Sequence, residues 1–127
     1  MFSNTVAPVI AATSLAVLDV LAECDELRRR VRENSARFRS GMEKLGFKLL
    51  GAGHPIIPVL LGDAKLAGEM ARRLLGEGIY VVGFSYPVVP QGQARIRTQM
   101  SAAHTSDDID RAVAAFGKVG RELGVIR

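Results

Sequence analysis

Residues 56–82 read IIPVLLGDAKLAGEMARRLLGEGIYVV, and the pattern changes twice within them. Ile56 to Leu61 is an apolar run of strand length. Asp63 is suited to cap a helix, and Ala67, Met70, Ala71, Leu74 and Leu75 then recur at helical spacing on one face. That helix runs out at Gly76 or Gly78 into the strand-like Ile79 to Val82. The stretch therefore predicts a strand-helix-strand unit.

Upstream, Phe47 to Leu50 is a second short apolar run, joined to Ile56 by the turn-forming Gly51, Gly53 and Pro55, and it is expected to be a strand. Before it, Leu27, Val31, Phe38, Met42 and Leu45 form one helical stripe that Gly46 stops. An earlier helix from Pro8 carries Val9, Ala12, Ala16, Val17, Val20 and Leu21, apolar or small on most faces. Such a helix is expected to be covered by other protein surfaces.

Downstream, Gly83 to Gly92 contains Pro87 and Pro90 and is expected to be a surface loop. Ala94 to Met100 alternates as a strand, with Arg95, Arg97 and Gln99 on one face and Ile96, Thr98 and Met100 on the other. Thr105 followed by Asp108 resembles a capping box with a carboxylate in place of the usual Glu. Ile109, Ala112, Val113, Phe116 and Leu123 make the apolar stripe of the helix it starts. The expected fold is α/β in an α+β arrangement: a small mixed or antiparallel sheet with helices mainly on one face.

At 127 residues with 48% hydrophobic content, one compact domain is expected. Seventeen Lys and Arg against thirteen Asp and Glu give a charge of +4. The arginines from Arg28 to Arg39 lie along one helix, interleaved with Glu33 and flanked by Glu26 and Glu43, and read as a solvated face. Few stacking aromatics accompany them, so no nucleic-acid partner is expected. Val6 to Leu21 is interrupted by Pro8, Thr13, Ser14 and Asp19, so no membrane span is expected. Cys24 is the sole cysteine, and a reducing, cytoplasmic setting with no metal site is expected.

Few residues suggest chemistry. Arg95 and Arg97, on a strand after a Pro/Gly loop, could hold a carboxylate through two parallel hydrogen bonds, or could pair with acids on neighbouring elements. Spacing does not choose between these readings. His54, in a Gly-rich turn, and His104, before a helix cap, have no nucleophile or acid at a recognisable spacing, and structural roles are favoured. Cys24 is flanked by Glu23 and Asp25, which oppose thiolate formation. Ser3, Asn4 and Thr5 could bind a phosphate or cap the following helix.

The segment YPVVPQGQARIRTQMSAAH, residues 86–104, resembles the C-terminal signature of the 2-amino-3-ketobutyrate CoA ligases, or glycine C-acetyltransferases. These are α-oxoamine synthases that use pyridoxal phosphate. Residues 2–8 (FSNTVAP), 54–59 (HPIIPV), 61–63 (LGD) and 78–81 (GIYV) extend the resemblance over essentially the whole chain.

The resemblance implies the C-terminal domain of a fold-type I transferase. Residues 1–24 would lead from a large cofactor-binding domain and 25–127 would form the small domain. It implies condensation of glycine with acetyl-CoA to 2-amino-3-ketobutyrate and CoA, with the cofactor acting as electron sink for the glycine Cα, and a cytoplasmic homodimer. Arg97 would clamp the substrate carboxylate. Ser3 and Asn4 would contact the cofactor phosphate belonging to the other subunit, with Thr5 in place of a common Ser.

The family's Schiff-base lysine, pyridine-pairing Asp and ring-stacking His have no counterpart here, so no residue is assigned a catalytic role. The chain alone is expected to be inactive. Two alternatives remain: a free-standing, non-catalytic binding or assembly module of the same fold, or a relative making 8-amino-7-oxononanoate or 5-aminolevulinate.

Overall fold

The computed structural model describes residues 5–127. Helix α1 (Pro8–Glu23) breaks at Cys24 and is followed by α2 (Asp25–Lys44), strand β1 (Ile56–Gly62), α3 (Ala64–Gly76), β2 (Val82–Phe84), β3 (Ala94–Gln99) and α4 (Ser106–Glu122). The expected α/β class and one-sided helix layer are present, and the sheet is antiparallel throughout, in the order β1-β3-β2.

The helix ends follow from local chemistry. Asp63 accepts a hydrogen bond from the Leu66 N–H at 2.8 Å and starts α3. Thr105 and Asp108 form the reciprocal capping box of α4. At the other end of α3, the Gly78 N–H bonds to the Leu75 carbonyl and the Ile79 N–H to the Leu74 carbonyl. This paired closure needs a left-handed residue, and Gly78 supplies it at φ +80. Helices α2 and α4 close in the same way at Gly46 and Gly124.

Two expected strands are corrected. Phe47 to Leu50 is not a strand and makes only an isolated bridge, Leu49 to Val59. The Phe47 N–H is taken by the Met42 carbonyl in the α2 closure. Pro58 accepts from the Leu50 N–H but has no N–H to return, so the ladder stops. The strand expected at Ile79–Val82 lies instead at Val82–Phe84. Ile79 is tied back to α3, whereas Gly83 and Phe84, expected in the loop, pair with Ile96 and Arg95. A side chain at Gly83 would bring a Cβ within 3.2 Å of the Ala67 carbonyl oxygen, so its absence lets α3 lie close on β2.

Alternation along β1 and β3 turns Ile57, Val59, Ala94, Ile96 and Thr98 toward the helices, all buried. Against them pack Phe38 and Met42 from α2, Met70 and Leu74 from α3, and Ile109, Phe116 and Val119 from α4. Phe116 meets Phe38 and Phe47 edge to face, with ring centroids 5.9 and 6.0 Å away. Helices α2 and α4 approach closely at Gly41, where a Cβ would stand 2.9 Å from Val113. One turn away Arg37 forms a two-pronged pair with Asp110, at 2.7 and 2.5 Å, which holds the carboxyl below its usual range. On α3, hydrogen bonds from Arg72 and Arg73 lower Glu69 to about 2.

Helix α1 buries no residue. Val9, Leu15, Val17, Leu18 and Val20 are each more than half exposed, so its apolar surface is uncovered among the described residues. Among the described residues, no helix is long and apolar enough to cross a membrane.

Candidate functional site

A cleft of about 470 Å³ is bordered by residues 79–82, the end of β3 and the start of α4. Phe38, Ile109 and Phe116 line it from the core, and Arg97, His104 and Asp108 are among its polar lining residues. The sequence places these groups on three different elements, and the turn after β3 brings them together.

Three of the polar side chains around the cleft are already engaged. The Thr98 hydroxyl donates to the Ile57 carbonyl at 2.8 Å. Asp108 accepts from both the backbone N–H and the hydroxyl of Thr105, and these bonds hold its carboxyl below the usual range. The His104 Nδ1 accepts from the Ser101 N–H at 3.3 Å. The His54 Nδ1 does likewise for the Ile56 N–H at 3.0 Å, outside the cleft. Both histidines therefore have the structural bonds expected of them.

Arg97 is different. It is exposed on the outer face of β3, at the cleft, and its guanidinium carbon lies over the Phe84 ring, 4.5 Å from the centroid. Among the described residues it forms no salt bridge. Arg95 also has no acid partner, but it turns back to the Gln93 carbonyl and side-chain oxygen at 3.0 and 3.1 Å. The two arginines that spacing left equivalent are thus distinguished: Arg95 is occupied by Gln93, just before its strand, and Arg97 keeps its planar donors available. A guanidinium in that state can bind a carboxylate with two parallel hydrogen bonds.

Among the described residues, the cleft lining contains no lysine, serine or cysteine. Lys44, Lys48, Lys65 and Lys118 are all exposed, and Lys118 pairs with Glu77 at 2.6 Å. Cys24 is at the α1–α2 junction. No group of three potential metal ligands occurs among the described residues. Ser3 and Asn4 lie outside the described residues.

Asn34 was not among the candidates. It is buried on α2, and its Nδ2 donates to the carbonyls of Ser101 and His104, both at 2.9 Å. It therefore pins the turn that carries His104 into the cleft wall. A polar residue three after Val31 and four before Phe38, on the apolar stripe, was the available signal. Asn34→Ala is expected to cost about 1–3 kcal/mol, because two inward carbonyls lose their donor. Urea denaturation of the variant measures this, and an unchanged midpoint would show the turn is held by other contacts.

Residues 1–116 match the family of class I and II aminotransferases. The chain is 58% identical over 126 residues to the 2-amino-3-ketobutyrate coenzyme A ligase of Escherichia coli strain K12, covering 99% of this chain and 32% of that protein. It is 49% identical to the human mitochondrial protein of the same name, over 99% of this chain and 30% of that one. A Sphingomonas wittichii serine palmitoyltransferase superposes with TM-score 0.89 at 29% identity, covering 100% of this chain and 32% of that one. The chain thus spans about a third of the length of the curated relatives it matches. It belongs to the class I and II aminotransferase family, and along its whole length it is similar to the 2-amino-3-ketobutyrate coenzyme A ligases.

Proposed function

We propose that this chain is the C-terminal domain of a pyridoxal-phosphate-dependent acyltransferase that joins glycine to acetyl-CoA, and that Arg97 is its clamp for the glycine carboxylate. The observation that carries this reading is the guanidinium of Arg97, placed at the cleft and in no salt bridge among the described residues, while the one acid in the lining, Asp108, is bonded to Thr105. A bidentate clamp fixes the amino acid in two dimensions, which sets the orientation of its Cα bonds. The apolar floor of Phe38, Ile109 and Phe116 limits water on one side of the bound substrate.

The described residues do not fit a covalently held pyridoxal phosphate, since no lysine borders the cleft. In this reading the lysine comes from outside these 127 residues, and the chain alone is inactive. Ser3 and Asn4 are proposed to reach the cofactor phosphate of a partner subunit in a homodimer. The exposed apolar α1 supports a division at residues 24 and 25, with 1–24 leading from a larger domain that covers the helix.

The test is a chimera in which the matching third of the E. coli relative is replaced by this chain. Release of CoA that requires both glycine and acetyl-CoA supports the proposal. A folded chimera that binds cofactor yet turns over neither substrate would favour a non-catalytic module. Preference for a longer acyl donor would move the assignment to another α-oxoamine synthase.

A further inference from the structure

We infer that Phe84 is a positioning residue for Arg97: its ring holds the guanidinium at the cleft while leaving the N–H donors to the substrate. The inference rests on the reading of Arg97 as the carboxylate clamp and adds the group that prepares it.

The strand register places the two side chains. Val82 stands opposite Arg97 and Phe84 opposite Arg95, so Phe84 is the diagonal neighbour of Arg97 on the outer face. Diagonal neighbours are within reach of an aromatic ring and a long side chain. Arg95, directly across from Phe84, bends away to Gln93, which leaves the ring to Arg97. Gly83 keeps β2 close against α3 and so fixes the backbone from which the ring projects.

The chemistry of the contact separates it from an ion pair. A carboxylate partner would occupy the same in-plane donors that a substrate needs. An aromatic face attracts the cation through its quadrupole and offers no lone pair in competition. Arg97 is thereby ordered before substrate arrives, and less side-chain freedom is lost when the fork forms.

In the chimera described above, Phe84→Leu keeps apolar bulk and removes the ring, whereas Phe84→Tyr keeps the ring. Phe84→Leu is expected to raise the glycine KM, and the glycine Kd measured by calorimetry, by about threefold to tenfold. The acetyl-CoA KM and the thermal midpoint should hold, and Phe84→Tyr should stay within about twofold of the parent. In an Arg97→Lys background the same Phe84→Leu change should have a smaller effect, because the partner is already altered. Full glycine affinity in Phe84→Leu, with Arg97→Lys still impaired, overturns the role of Phe84 and leaves the clamp standing. Unchanged glycine affinity in both single variants overturns the clamp and the positioning role together. Equal losses for glycine and acetyl-CoA in Phe84→Leu would mark a general structural defect and likewise overturn it.

Discussion

Arg97→Lys in the chimeric enzyme is expected to raise the glycine KM about tenfold to a hundredfold, the equivalent of roughly 1.5–3 kcal/mol for a charge-assisted contact. Lysine keeps the charge but loses the planar fork, so one hydrogen bond replaces two and the carboxylate can swivel. Because the carboxylate is bound before and during the reaction, most of the loss should appear in KM. A smaller fall in kcat should report the poorer orientation of the Cα bonds. Arg95→Lys is the internal control, since that side chain is spent on Gln93 and is expected to leave glycine kinetics near the parent. An unaltered glycine KM in Arg97→Lys would remove this residue from the substrate site.

Phe116→Ala should have the largest effect on stability, about 3–5 kcal/mol. The ring is 1% exposed and sits between Phe38 and Phe47, meeting both edge to face. Truncation removes two aromatic contacts and opens a void that three helices and a sheet cannot close by shifting. Against a typical domain stability of about 5–15 kcal/mol, such a loss brings the fold close to collapse. Phe116 also lines the cleft, so its removal should loosen the floor beneath any substrate. Urea titration followed by circular dichroism measures the change. A loss below about 1 kcal/mol would mean that the helices repack around the gap.

Helix positions were legible in the sequence because their signals are local. Asp63, Thr105 with Asp108, Gly46 and Gly78 act on backbone groups within a few residues. The alternation of β3 was equally legible: Ile96, Thr98 and Met100 are buried, and Arg97 and Gln99 are exposed, as spacing requires. Arg97 could be singled out by resemblance, but spacing alone could not separate it from Arg95.

Tertiary structure decided the rest. Whether Phe47–Leu50 became a strand depended on Pro58, a residue on another segment with no N–H to donate. The displacement of β2 to Val82–Phe84 depended on the α3 closure taking the Ile79 N–H, and on Gly83 meeting Ala67. Asn34 found its acceptors 67 and 70 residues away, and Phe84 found Arg97 across a strand pair. The sequence by itself determined the fold class, the helix caps, the core faces and the family resemblance. Which arginine stayed unpaired, and which side chains prepare it, was decided only by the packing, because those contacts join residues whose proximity no local pattern encodes.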